Sequence, residues 1–162
     1  MLDEKLRQVA QRILEDAAFV FVDGGAEDAI ELLNGENALS ATLEFDGEFS
    51  GSMSMSASYS LAKTMAANLL GADDLDPEAE SKKTDAIGEL LNMVCGNLLP
   101  EIAGTSPEFK IGAPRAVSFD ETKRQSADIA RSNGSLVAMS VEGCEVVMSL
   151  LINDESGAGE RV

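Results

Sequence analysis

The segment from residue 85 to residue 98 constrains this chain more than any other. Its larger apolar residues recur every three or four positions, so they fall on one side of a helix that turns by about 100° per residue. These residues are Ile87, Leu91, Val94 and Leu98. The opposite side carries Asp85, Glu89, Asn92 and Gly96. The segment therefore predicts a helix that packs on a core with one face and presents a carboxylate and a carboxamide one turn apart on the other.

Two glycines, Gly88 and Gly96, lie on or beside the polar face of this predicted helix. Glycine in a helix interior costs roughly 1 kcal/mol relative to alanine. Their presence next to Glu89 and Asn92 indicates that something large approaches this face closely. The alternative interpretation is that Glu89 and Asn92 belong to a solvated outer face with no further role.

The composition predicts one folded domain. The chain has 162 residues, of which 44% are hydrophobic, and these values are typical of a globular protein with a substantial core. We expect a single domain over residues 1–152 and a disordered acidic tail over residues 153–162. The N-terminal residues resemble no signal peptide, and the apolar runs are shorter than a membrane span, so we expect a cytoplasmic location.

Several functional classes are disfavoured by residues that the chain lacks. Histidine is absent, which excludes Ser-His-Asp and Cys-His catalysis and any histidine-based metal site. Cys95 and Cys144 stand in apolar settings, and we expect two reduced, buried thiols. A net charge of −17 argues against binding to nucleic acid or to an anionic membrane surface.

Three helices are predicted from the periodicity. The first begins near Leu6, runs into the apolar residues 19–22 and stops at Gly24–Gly25. The second covers residues 59–70 and is capped by Ser58 or Ser60 and closed by Gly71. The third, over residues 79–103, contains the segment described above, and Pro100 should kink it or loosen its last turn.

Strands are predicted where apolar and polar residues alternate. Residues 38–57 contain a serine and methionine alternation and should form a hairpin with a two-residue turn at Asp46–Gly47. Residues 110–119 read as a strand in which Pro114 indicates an edge position or a bulge. Residues 135–152 should form a second hairpin around Glu142–Gly143. Helices and hairpins are segregated along the chain, so the predicted class is α+β, an antiparallel-rich sheet with helices packed on one face.

The pattern Asp-x3-Glu-x2-Asn-x3-Gly-Asn over residues 85–97, on a helix that follows a strand pair and a short helix, resembles the CheC/CheX/FliY phosphatases of bacterial chemotaxis. In element order the resemblance extends over roughly residues 5–152. Another Glu-x2-Asn, Glu31 to Asn34, stands before Gly35 in a predicted short turn, and we interpret it as a chance match. In having a single motif per chain, the sequence resembles CheX, and this resemblance implies a homodimer. Exposed hairpin strands that pair edge to edge are the candidates for its interface.

The resemblance implies an enzyme of two-component signalling, a hydrolase that removes the aspartyl phosphate of a CheY-like response-regulator receiver. It implies that Asn92 positions the attacking water and that Glu89 pairs with a lysine of the receiver. Asp85, Gly88 and Gly96 would belong to the binding surface. The receiver would supply Mg²⁺, and the chain itself would need no metal or other cofactor.

Two other functions remain open. The chain could be a non-catalytic adapter that docks on a receiver or on a flagellar-switch component through the same face. It could also be a structural dimer in which that face is buried against another copy. The charge of −17 fits poorly with a receiver site that is rich in carboxylates. Either Lys82 and Lys83 offset the repulsion locally, or association is slow.

Overall fold

The computed structural model describes residues 2–25, 38–71, 73, 76–118, 121–122, 124 and 134–153. Their elements follow one another along the chain in the order α1 (Leu2–Ala17), β1 (Val22–Gly25), β2 (Ala38–Asp46), β3 (Gly51–Ser58), α2 (Tyr59–Leu70), α3 (Pro77–Ser81), α4 (Lys83–Ala103), β4 (Lys110–Ile111), β5 (Arg115–Val117), β6 (Ser135–Val141) and β7 (Cys144–Ile152). None of the helices in this part of the chain combines the length and the apolarity needed to span a bilayer.

The strands form one antiparallel sheet in the order β1-β6-β7-β3-β2-β4, and β5 also pairs with β2. The two hairpins, β2–β3 and β6–β7, join through β3 and β7 and form the centre of the sheet. The helices α1 and α4 pack on the sheet, α1 against β6 and α4 against β2 and β3. The predicted α+β class is confirmed.

The alternation of serine and methionine in β3 places the two residue types on opposite faces of the sheet. Met53 and Met55 are fully buried among the core residues. On the other face Ser56 Oγ lies 2.6 Å from Ser40 Oγ, and Thr42 Oγ1 donates to the carbonyl oxygen of Met53. Ser54 Oγ donates to Thr42 Oγ1 on the same face. The buried hydroxyl groups of Thr42 and Ser56 thus have hydrogen-bond partners, while the thioethers fill the core.

The helix α2 and the second hairpin have the predicted bounds. The side chain of Ser58 accepts a hydrogen bond from the backbone N–H of Leu61, and Gly71 ends the helix in the left-handed region at φ 69°. The turn between β6 and β7 has φ 52° at Glu142 and φ 81° at Gly143. Two successive residues with positive φ match the right-handed twist of the flanking strands.

The first helix is shorter than the sequence predicted. It ends at Ala17, and Val22–Gly25 form an unpredicted strand that pairs with β6. Phe19 adopts φ 54°, which turns the chain away from the helix direction. The backbone N–H of Phe21 then donates to the Glu142 carboxylate, which holds this segment beside the β6–β7 turn. The pairing partner lies more than a hundred residues away in the sequence, so no local pattern revealed it.

The first hairpin has a longer connection than predicted. Phe45 pairs with Gly51 and β2 continues to Asp46, so residues 47–50 form the loop and the two-residue turn at Asp46–Gly47 was wrong. A Cβ added to Gly47 would lie 2.7 Å from the carbonyl oxygen of Glu108. Gly47 is therefore required for a tertiary contact of the loop rather than for a tight turn.

Two other predicted elements are each divided in two. The strand predicted over residues 110–119 is β4 and β5, separated at residues 112–114, where Pro114 cannot donate to a sheet ladder. The helix predicted over residues 79–103 is α3 and α4, separated at Lys82, whose φ of −106° and ψ of 12° lie outside the helical region. The helix α4 continues past Pro100 to Ala103.

The prediction that hairpin strands are exposed for edge pairing was wrong. All four of them have neighbours on both sides, because β1 covers β6 while β4 and β5 cover β2. At the C-terminus, Asn153 donates through its backbone N–H to the carbonyl oxygen of Ser50, so the ordered domain includes this first residue of the expected tail. Residues 154–162 and the segment from Glu31 to Asn34 lie outside the described residues.

The two cysteines differ in burial, which corrects the expectation of two buried thiols. Cys95 is buried, and burial raises the pKa of its thiol to about 12, whereas Cys144 is only half-buried. Because the thiolate is the reactive form, we expect a thiol reagent at mildly alkaline pH to label Cys144 first and Cys95 only after unfolding. Labelling of wild type and Cys144→Ser with and without urea measures this, and equal rates for both thiols in the folded protein would contradict it.

Candidate functional site

The helix α4 is amphipathic in three dimensions as its sequence predicted. Nine of its residues are buried, and they face the sheet, α1 and α2: Ala86, Ile87, Gly88, Leu90, Leu91, Val94, Cys95, Leu98 and Leu99. Leu91, Val94 and Leu98 have no exposed surface. Burial of each such side chain stabilises the fold by roughly 1.5–3 kcal/mol, so rotation of the helix about its axis is strongly opposed.

The other side of α4 is exposed at Asp85, Glu89, Asn92 and Gly96. We call these four residues the polar face. Glu89 and Asn92 are three positions apart, so their side chains leave the helix in neighbouring directions. Within the described residues, neither side chain has a hydrogen bond or an ion pair. A carboxylate and an amide without internal partners are available to another molecule.

Asn97 provides the contrast to Asn92. It too is exposed, but its Nδ2 donates to the carbonyl oxygen of Met93 at 2.7 Å, one turn earlier in the same helix. This contact gives the Asn97 amide a partner within its own helix. The two asparagines therefore differ in whether their amide groups are already engaged.

Asp85 lies one turn before Glu89 and is paired within the chain. Its carboxylate is 3.7 Å from Nζ of Lys82, and the two side chains are 76% and 49% exposed. An ion pair of this exposure contributes little to stability. Its effect is electrostatic, because Lys82 partly neutralises the charge at this end of the polar face. Lys83 instead places Nζ 5.2 Å from the ring centroid of Tyr59.

Gly88 does not belong to the polar face, which corrects its prediction as a binding residue. It is buried, and a Cβ added there would lie 3.1 Å from Cβ and 3.3 Å from Cγ of Pro114. The large group that approaches Gly88 is thus a proline of the same chain. Pro114 precedes β5, and Gly112 anchors this connection by donating to the carbonyl oxygen of Glu44.

Gly96 has a different environment from Gly88. It is exposed, and an added Cβ would meet no atom within 4 Å. Packing inside the described part of the chain therefore does not require glycine at this position. Glycine at this position makes the helix less stable than alanine would, and no packing contact among the described residues compensates for that cost. The sequence-based expectation of close approach by another molecule remains a prediction for Gly96 alone.

Sequence reasoning missed the contribution of Pro114, because Gly88 and Pro114 come together only in the folded chain. The sequence also did not indicate an open cavity of about 530 Å³, whose lining includes Glu44, Asp46 and Lys110. No residue of α4 lines that cavity. Among the described residues no group of three or more His, Cys, Asp or Glu side chains is arranged to hold a metal ion. We take the polar face as the candidate site because Glu89 and Asn92 are exposed there and have no partner among the described residues.

The sequence matches the family described as chemotaxis phosphatase CheX over residues 39–135, which is more than half of the chain and includes the polar face. Among curated proteins, none is similar enough to match.

The fold is similar to that of solved structures of chemotaxis proteins. One is the CheX-CheY-BeF3-Mg+2 complex from Borrelia burgdorferi, with a TM-score of 0.66 and 19% identity over 93% of this chain and 96% of that chain. Another is CheX from Desulfovibrio desulfuricans, with a TM-score of 0.65 and 16% identity over 94% and 99%. CheX from Vibrio vulnificus gives 0.63 and 19% over 94% and 96%. At these identities the likeness establishes the fold.

The two glycines of α4 should respond oppositely to alanine. We expect Gly96→Ala to raise the free energy of unfolding by about 0.5–1 kcal/mol, because alanine is the better helix former and the added methyl contacts none of the described residues. The same gain in Gly88→Ala is opposed by crowding against Pro114. Urea unfolding of both variants should therefore find Gly88→Ala less stable than Gly96→Ala. Equal stability would show that the contact with Pro114 does not constrain α4.

Proposed function

The chain belongs to the CheX family of chemotaxis phosphatases, and on that premise we propose that it hydrolyses the aspartyl phosphate of a CheY-like receiver domain. The observation that carries the proposal is the exposure of Glu89 and Asn92, one turn apart and without partners in the described part of the chain, on a helix fixed by its buried face. The structural relative from Borrelia burgdorferi, described as a CheX-CheY-BeF3-Mg+2 complex, supports a CheY-like partner.

Asn92 is proposed to position the water that attacks phosphorus. A carboxamide both donates and accepts hydrogen bonds, so it can hold a water in a fixed orientation. An aspartyl phosphate is already activated, and its hydrolysis needs a nucleophile in line with the leaving oxygen rather than a strong base. Positioning of this kind lowers the activation free energy by an amount on the order of several kcal/mol. The absence of histidine from the chain is compatible with such a mechanism.

Glu89 is proposed to bind a lysine of the receiver. Its carboxylate is exposed and has no partner in the described part of the chain, so binding does not first require an internal contact to break. A charge-assisted hydrogen bond at this point would fix the orientation of α4 and thus the position of Asn92. Asp85 would assist docking, and its pairing with Lys82 limits the repulsion from acidic groups of the receiver.

The remaining parts of the proposal concern what lies outside the polar face. The receiver would supply the Mg²⁺ ion that neutralises charge on the phosphoryl group. A protein with this function would act in the cytoplasm, and by likeness to the family it would form a homodimer. Among the described residues, the outer strands of the sheet that could serve such a dimer are β1 on one side and β4 with β5 on the other.

The decisive test measures phosphate release from a phosphorylated CheY-like receiver with Mg²⁺ present. We expect wild type to accelerate release and Asn92→Ala to lose at least tenfold of that acceleration, which corresponds to about 1.4 kcal/mol of barrier. Asn97→Ala is the matched control, since its amide serves the helix rather than the polar face. Full activity of Asn92→Ala would remove the role assigned to this residue.

The same assay separates the proposal from its alternatives. Binding of the receiver without faster phosphate release in wild type would identify an adapter. A structural dimer that buries the polar face would be indicated if Glu89→Lys abolished self-association, measured by sedimentation. Neither alternative requires the amide of Asn92 to be free of internal hydrogen bonds.

Gly96 offers a prediction that separates stability from activity. Because Gly96→Ala adds a methyl to the polar face, we expect it to weaken docking and raise KM for the phosphorylated receiver severalfold while the folded state becomes more stable. The paired measurement is a urea unfolding curve and a steady-state assay on the same preparation. An unchanged KM would show that nothing approaches Gly96 closely in the complex.

A further inference from the structure

A groove of about 240 Å³ runs between α4 and the C-terminal half of α2, directly beside the polar face. We call it the α2–α4 groove. Its lining consists of Ala66, Leu69, Leu70, Lys82, Asp85, Ala86 and Glu89. No local sequence pattern indicates it, because its two walls belong to α2 and α4, which are separated along the chain by α3 and the residues around it.

The walls of the groove are apolar and its rim is charged. Leu70 is 45% exposed and is one of few large apolar side chains in the described residues with so much accessible surface. Leu69 is half-buried and packs against the core. The carboxylates of Asp85 and Glu89 stand on the α4 side, where Lys82 partly offsets Asp85. The groove is thus suited to an apolar group that has a positive charge next to it.

The groove is continuous with the proposed docking surface. Asp85 and Glu89 belong both to the polar face and to the lining of the groove. Any protein that binds Glu89 therefore covers the groove or stands at its edge. Its volume is below the range of about 300–1,000 Å³ that small-molecule pockets usually occupy, which favours a side chain of a protein partner as the occupant.

We propose that the α2–α4 groove receives an apolar side chain of the receiver, adjacent in space to the lysine that Glu89 binds. This inference rests on the proposed function. Burial of Leu70 against that side chain adds affinity through apolar contact, whereas Asn92 acts on the water. An apolar group at this place, rather than a charged one, is also a means of distinguishing one receiver from another.

The test compares substitutions of Leu70 in the phosphate-release assay. We expect Leu70→Gln to raise KM for the phosphorylated receiver about tenfold and to leave kcat within about twofold. A tenfold change in affinity corresponds to about 1.4 kcal/mol, which is part of the free energy gained when one leucine side chain is buried. Leu70→Met keeps an apolar, flexible side chain and should stay within about twofold of wild type. The control is Phe21→Ala, which removes an apolar side chain that is 64% exposed and does not line the groove.

The outcomes distinguish this inference from the function on which it rests. If wild type releases phosphate but Leu70→Gln has an unchanged KM, the groove does not receive the receiver and the proposed function still holds. If wild type neither binds nor dephosphorylates receivers, both proposals fall. If Leu70→Gln alters self-association and not KM, the occupant is a second copy of the chain and the inference is overturned. Should Leu70→Gln fail to fold, Leu70→Ala gives the same comparison.

Discussion

The burial of α4 against β2 and β3 determines which residues of the molecule can act on another protein. The helix packs on these two strands, in which Leu43, Met53 and Met55 are buried core residues. Once that contact forms, Glu89 and Asn92 must face solvent, since helical geometry gives them no other direction. Pro114 adds a second constraint, because it packs against Gly88 from the segment that precedes β5. Glu89 and Asn92 are thus held in fixed positions, because the helix that carries them packs on the core.

Those features that depend on neighbouring residues were predictable from the sequence. The bounds of α2 followed from a serine cap and a glycine in the left-handed region, and the turn at Glu142–Gly143 followed from its two residues. The exposure of Glu89 and Asn92 followed from a helical period that the core residues define. In each case the physical cause lies within about one turn of helix or one hairpin, which a single sequence displays.

Features that depend on distant residues were not predictable. Gly47 looked like a turn glycine, but it lies against residues 108 and 109 in a hairpin loop that is longer than a two-residue turn. The strand β1 exists because residues near 140 complete it. Gly88 had the same local signature as Gly96, and only the position of Pro114 separates a structural glycine from an exposed one. Pairwise contact between remote segments leaves no periodic trace in either segment.

The order of the strands also governs how this sheet behaves when molecules are crowded together. The longest strands lie in the interior, while β1, β4 and β5 have four, two and three residues. A bulge-like shift between Val22 and Gly24 further interrupts β1. A sheet propagates from one molecule to the next only along a long, regular border. Among the described residues, such short border strands disfavour the edge-to-edge pairing through which fibrils grow, even though the hairpins are rich in β-forming and apolar residues.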